Sequence, residues 1–313
     1  MPGWQSRLTQ LIIRLRIKRR ITGGEQEIVR FARARFGDTR LAQRMTPKNV
    51  RLQPINEQAL QGEWVGWDGQ DQQRVILYFH GGAYVACSPV THRPFTAELS
   101  RQAGMRVFAL DYRLAPEHRF PAQIEDAVTA YRWLLQQGFE PHNIVLGGDS
   151  AGGGLTMATL IKLRDLEISL PALGFCFSPW ADLTASGDSY RTNHKNDPMF
   201  YGDSTKLLAL IYLGDAAPSN PLASPIFADL TGLPPLYVYA GSTEVLLDDA
   251  RKLVARAHEC GVSAELHIAD RQPHVWPIMV GILPEAKQTI QQVVTQIHHI
   301  LSKAKAGQAV EIG

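Results

Sequence analysis

The chain has 313 residues, 45% of them hydrophobic and 20% charged, with a formal net charge of only +2. That is the composition of an ordinary soluble globular protein, and so weak a net charge argues against nucleic acid as a partner of the whole molecule. Three widely spaced cysteines, Cys87, Cys176 and Cys260, exclude a disulfide framework or a thiolate zinc site and fit a reducing, cytoplasmic setting.

Charge is unevenly placed along the chain. Residues 1–51 hold thirteen Lys/Arg against three acidic residues, so the remainder is net negative. Arginines at 14 and 16 interrupt Leu11-Ile12-Ile13, which is not the pattern of a cleaved signal peptide. No apolar run approaches the roughly 20 residues that span a bilayer, so no stable membrane insertion is expected. Leu8, Leu11, Ile12 and Leu15 recur near helical spacing within residues 4–21, and a second helix is predicted from Glu25 to Phe36 after Gly23-Gly24. Such a basic amphipathic start suits a helix lying on a membrane. It suits equally a helical lid with solvated arginines, and the lid is the favoured reading.

From Val50 onward the pattern changes to short apolar runs. Val50–Ile55, Glu63–Trp67, Val75–Phe79, Val107–Asp111, Ile144–Leu146, Leu173–Phe177, Leu236–Tyr239 and Ala264–Ile268 read as strands. Helical patterns over roughly 92–103, 122–137, 151–165, 246–260 and 284–301 alternate with them. Alternation of this kind predicts an α/β fold: a mostly parallel eight-stranded sheet, helices on both faces, and an antiparallel start. Nearly sixty residues separate Phe177 from Leu236, and so long a connection in a compact domain usually serves function. A second lid segment is expected there, with a helix around Ser204–Leu213.

Two strand ends carry chemistry. In Asn143-Ile-Val-Leu-Gly-Gly-Asp-Ser150-Ala-Gly-Gly-Gly154, a strand runs into a sharp turn and then a helix, with Ser150 at the apex. The spacing Gly148-x-Ser150-x-Gly152 is that of a nucleophile elbow, a short pattern that proves little alone. After the strand Val75–Phe79 comes His80-Gly81-Gly82-Ala83-Tyr84, a tight turn whose backbone N–H groups could converge on one oxyanion. A serine nucleophile needs a base. Of ten histidines, His274 lies in the loop after the last strand, beside the carboxyl edge of a doubly wound sheet. His194 falls in the lid segment, where it could line a pocket. Similarity of the strand-turn-helix to the α/β-hydrolase elbow implies the chain order Ser, acid, His, with the acid after the seventh strand. Glu244 lies in that loop, whereas Asp248 and Asp249 fall in a first helical turn, where the helix dipole already explains them. Glu244 is therefore the expected acid.

Together with Asp111-Tyr-Arg-Leu-Ala-Pro-Glu-His118-Arg-Phe-Pro121, Ser178-Pro-Trp-Ala-Asp182, Leu222-Ala-Ser-Pro225 and Pro273-His274, these motifs resemble those of the bacterial hormone-sensitive-lipase-like esterases, a branch of the α/β-hydrolases. The resemblance covers about residues 75–301. It implies a cofactor-free serine carboxylesterase for short-to-medium acyl esters, with Ser150 as nucleophile, His274 as base, and Gly81, Gly82, Ala83 and Ala151 at the oxyanion hole. Which of the loop N–H groups point inward stays open. It also implies cap helices over residues 1–45, a catalytic domain in two parts (46–182 and 226–313), and a cap segment over 183–225. This chain departs from the family's commoner pattern in having Glu244 where Asp is usual and Ala83 where many members have a third Gly. An amidase or aryl-formamidase of the same fold would share every residue named, and a lipase working at a membrane surface would suit the basic N-terminus. A non-catalytic relative, like the plant gibberellin receptors, would lack the histidine that His274 supplies. No metal is expected, and whether the chain forms a homodimer stays open.

Overall fold

Runs rich in Val, Ile, Phe and Tyr favour a pleated surface, and here they form eight strands: Arg51–Glu57 (β1), Leu60–Gly66 (β2), Asp71–Phe79 (β3), Met105–Leu110 (β4), Ile144–Asp149 (β5), Leu173–Phe177 (β6), Leu236–Gly241 (β7) and Ala264–Ala269 (β8). The computed structural model describes residues 3–18, 23–57 and 59–311, with side chains to residue 303. The strands make one sheet in the order β1-β2-β4-β3-β5-β6-β7-β8. β2 is antiparallel to β1 and to β4, and the other pairs are parallel. This is the mostly parallel sheet expected from the alternation, and the architecture that the resemblance to the α/β-hydrolases implies.

Helices fill the connections: Trp4–Arg16 (α1), Glu25–Phe36 (α2), Arg40–Met45 (α3), Pro89–Ala103 (α4), Ala122–Gln136 (α5), Ala151–Asp165 (α6), Ser189–Thr192 (α7), Gly202–Leu213 (α8), Leu247–Glu259 (α9) and Pro284–Glu311 (α10). Successive strand residues point to opposite faces. Val75, Leu77 and Phe79 of β3 therefore enter one core with α5, α6 and α9, while Ile76 and Tyr78 enter another with α4 and α10. Burial on both faces explains why the central strands read as unbroken apolar runs. β1 is the exception: it is largely exposed and contains Pro54, which an edge strand tolerates because no further ladder needs its N–H.

Some boundaries differ from the sequence reading. β2 starts at Leu60, because Leu60, Gln61 and Gly62 pair with Glu57, Asn56 and Ile55 despite their broken alternation. α3 is a six-residue helix, too short to show a period. α10 continues past the expected residue 301 to Glu311. The end of the predicted 4–21 helix, residues 19–21, lies outside the described residues.

Phe175 is closely packed in one core. Its ring lies 5.4 Å from Phe177 and 6.3 Å from Tyr78, over Gly147, where a Cβ would stand 2.1 Å from it. Phe175→Ala should cost about 3–5 kcal/mol, the usual loss for a buried aromatic truncation. Urea unfolding would measure it, and a loss under about 1 kcal/mol would contradict this account of the core.

Candidate active site

β5 delivers the chain to Ser150 at φ 53° and ψ −119°, and α6 begins one residue later. A non-glycine residue keeps such a conformation only where its surroundings over-determine it. Here the Ser150 N–H donates to the Phe177 carbonyl at 2.8 Å, and the Trp180 N–H donates to the Ser150 carbonyl at 2.9 Å. The neighbouring glycines are demanded by close approach. A Cβ on Gly152 would lie 2.0 Å from the Phe79 carbonyl oxygen, and one on Gly148 would lie 2.3 Å from that of Gly152. The spacing seen in sequence is thus a packing condition for starting α6 against β3 and β5.

His274 and Glu244, brought in by the loops after β8 and β7, complete a line with Ser150. His274 Nε2 lies 2.9 Å from Ser150 Oγ, and His274 Nδ1 lies 2.7 Å from Glu244 Oε2. Both side chains are buried. The other carboxylate oxygen, Oε1, accepts from the Gly241 N–H at 2.5 Å and from the Ser178 hydroxyl at 2.7 Å. Ser178 Oγ also accepts from the Val275 N–H at 3.1 Å, so one hydroxyl ties the loop carrying the acid to the loop carrying the histidine. Sequence reasoning quoted Ser178 within a motif but gave it no role. Its signal was position: a serine directly after β6, between the strands that deliver Ser150 and Glu244. Burial works to lower the His274 pKa. The hydrogen bond and charge of Glu244, with the charges of Asp197 and Asp149, outweigh it and hold His274 above its ordinary value.

The other acids near these loops have different partners. Asp248 accepts from the Ser189 N–H at 2.8 Å and pairs with Arg251 at 3.1 Å. Asp249 accepts from the N–H groups of Ala181 and Asp182 at 3.0 and 2.9 Å and from the Tyr190 hydroxyl at 3.1 Å. Burial, reinforced by the charge of Asp182, pushes its carboxyl well above the usual range. Asp197 is buried and accepts from the N–H groups of Met199, Phe200 and Val245 at 2.7, 3.0 and 2.9 Å. His194 faces Asp203 at 3.2 Å and the Tyr201 ring at 4.8 Å. Phe200, from the long connection after β6, stands edge-on to the His274 ring at 5.3 Å. The same connection reaches the acid loop through Asn193, whose side-chain amide donates to the Glu244 carbonyl at 2.8 Å, and through Ser189, whose hydroxyl donates to the Val245 carbonyl at 2.6 Å.

The glycine turn after β3 lies against the elbow. The Gly81 N–H donates to Asp149 Oδ1 at 3.1 Å, which occupies it. Asp149 also accepts from the Tyr78 hydroxyl at 2.8 Å and lies 3.2 Å from His92 Nε2. Burial alone would raise its pKa, but His92, the Tyr78 hydrogen bond and His80 keep the carboxyl below its ordinary range. Gly82 has φ +110°, a region L side chains avoid, and a Cβ there would lie 2.2 Å from the Ala86 carbonyl oxygen. Among the described residues, none accepts from the N–H groups of Gly82, Ala83 or Ala151. That of Ala151 also sits in the first turn of α6, the positive end of a helix dipole. His80 Nδ1 lies 2.7 Å from the Gly81 carbonyl oxygen and its ring stacks on Tyr112 at 4.2 Å. Burial, then the neighbouring His92, lowers its pKa to about 3, so it stays neutral and braces the turn. Among the described residues, no group of three or more His, Cys, Asp or Glu is placed to hold a metal ion.

Residues 76–278 match a family described as having the alpha/beta hydrolase fold. An acetyl-hydrolase of Streptomyces hygroscopicus is 45% identical over 229 residues, 73% of this chain and 76% of that protein. An esterase of Acinetobacter venetianus is 33% identical over 253 residues, 80% of this chain and 83% of that protein. Among solved structures, an esterase from the bacterial hormone-sensitive lipase family superposes with a TM-score of 0.89 at 41% identity, covering 96% of this chain and 99% of that one.

Proposed function

Because the chain belongs to the alpha/beta hydrolase fold family, and is a carboxylesterase of its bacterial hormone-sensitive-lipase branch, we propose that Ser150, His274 and Glu244 carry its reaction as nucleophile, general base and acid. One observation carries the assignment: the buried line from Ser150 Oγ through His274 to Glu244, at 2.9 and 2.7 Å. Serine Oγ adds to the ester carbonyl while His274 Nε2 takes its proton. Glu244 keeps the other ring nitrogen protonated and stabilises the imidazolium. The oxyanion is held by the N–H groups of Gly82, Ala83 and Ala151, whereas that of Gly81 is taken up by Asp149. Collapse of the intermediate passes the His274 proton to the leaving alcohol. Water then attacks the acyl-serine by the same route, releasing the acid.

Over this site, the described residues of the 1–45 segment and residues 183–225 act as a cap. Phe36 of α2 and Phe200 approach to 6.2 Å, and Phe200 borders His274, which supports an apolar wall beside the reacting carbonyl. Tyr212 of α8 stacks on Tyr84 at 3.8 Å, covering the residue next to the glycine turn. The Streptomyces relative is named an acetyl-hydrolase, which favours short acyl groups. A series of p-nitrophenyl esters from acetate to laurate should give its highest kcat/KM at the short end. A matched anilide should turn over far more slowly than its ester, and the reverse order would replace the esterase reading by an amidase.

Only neutral imidazole can accept the serine proton. With the His274 pKa held above 6.5, kcat/KM should fall as pH drops, with the midpoint of the acid limb above 6.5. The sign follows because acid adds the proton that disables the base. A midpoint clearly below 6.5 on a water-soluble ester would contradict the pairing with Glu244.

A further inference from the structure

At 3.6 residues per turn, Trp4, Leu8, Leu11, Ile12 and Leu15 fall within about 100° of arc on α1, opposite Ser6 and Ile13. A helix of a globular protein normally turns such a stripe inward. α1 does the reverse. Ser6 and Ile13 are buried, while the five apolar side chains are 71, 49, 52, 51 and 72% exposed in the order given. Polar contacts hold the helix this way round. Gln10 donates to the Arg271 carbonyl at 2.5 Å, the Ser6 hydroxyl donates to Gln272 at 3.4 Å, and Arg14 and Lys18 donate to backbone carbonyls of residues 194–197. A continuous exposed stripe of this size, unlike scattered apolar residues, marks an interaction face.

The charges beside it say what it meets. Arg7 and Arg14 flank the stripe on one side and Arg16 on the other, and residues 3–18 contain no acidic side chain. A second copy would pair like with like across a two-fold contact, setting these arginines against each other. An anionic lipid surface complements both the stripe and its flanks. We propose that α1 docks this protein on anionic membranes, lying in the interfacial plane with Trp4 at headgroup depth. No helix among the described residues is long and apolar enough to cross a bilayer, so the attachment is peripheral. Because the opposite face of α1 is bound to Arg271 and Gln272, just ahead of His274, docking would set the His274 loop about one helix diameter, roughly 10 Å, from the lipid surface.

The proposal concerns binding and stands apart from the reaction. Flotation of the full-length protein with phosphatidylcholine vesicles, with and without 30% phosphatidylglycerol, tests it against the variant Leu8→Gln/Leu11→Gln/Leu15→Gln. These exposed substitutions should leave the far-UV spectrum unchanged. Wild type should partition onto the anionic vesicles at least about tenfold more than the variant, and several-fold less at high salt. Should the triple variant fail to fold, Arg7→Glu/Arg16→Glu carries the test through charge alone, with the same expected loss. Equal partition of wild type and variant, or no partition of wild type, overturns the proposal. So does a wild-type dimer, seen by sedimentation, that the triple substitution dissolves without any vesicle binding, since the face then belongs to a second copy. Loss of ester turnover with vesicle binding intact would strike only the catalytic assignment.

Discussion

Ser150→Ala should lower kcat/KM for p-nitrophenyl esters by about 10⁵–10⁶-fold, the scale at which loss of an acyl-transfer serine is felt. The fold should survive. What holds the elbow is backbone: the N–H of residue 150 on Phe177 and its carbonyl beneath Trp180, and alanine retains both bonds along with the Cβ. Thermal unfolding should therefore stay close to wild type while a fluorophosphonate probe, which labels wild type once, labels the variant not at all. Turnover within a hundredfold of wild type in a correctly folded variant would rule out the serine mechanism.

Glu244→Gln is expected to cost about 10⁴-fold in kcat, as when a triad acid becomes its amide. The local hydrogen bonds explain the size. Oε1 faces two donors, Gly241 N–H and the Ser178 hydroxyl, so the amide oxygen of glutamine belongs there. Its NH2 group then faces His274 Nδ1 and forces the proton to Nε2, the nitrogen that must accept from Ser150. The base is lost by tautomer, with hardly any change in shape. Asp248→Asn should cost less than about tenfold, because its bonds run to Ser189 and Arg251. Ser178→Ala should fall between, about ten- to a hundredfold, the worth of one hydrogen bond to a charged group. Steady-state kinetics on all three would order them, and a larger loss at Asp248 than at Glu244 would move the acid.

Chain order and strand ends singled out Ser150, His274 and Glu244 from the sequence, because each occupies the loop that follows a strand of the parallel sheet, and their side chains lie in one hydrogen-bonded line. Burial on two faces made those strands visible as apolar runs. Other features depend on pairings that no local pattern records. Gly81 and Gly82 read alike as turn glycines, yet one N–H is taken by Asp149 and the other is not. Ser178 acts by touching residues 66 and 97 positions away. For α1, periodicity revealed an amphipathic helix but could not say which face is docked. The usual preference points the apolar face inward, and contacts from Ser6 and Gln10 to the loop before His274 turn it outward.

The hydrogen bonds that join Asn193, Asp197 and Ser189 to the loop of Glu244 bear on how turnover is timed. A lid on a free hinge opens without disturbing chemistry, and its motion sets only entry and release. This connection is tied to the backbone of Glu244 and Val245 themselves, so any excursion that lifts it also loosens the acid. Were the connection to lift, access would come at the expense of competence: the open molecule would be the less reactive one. Amide exchange would reveal such coupling as a shared opening rate at Val245 and Phe200, and independent rates would show the two motions to be separate.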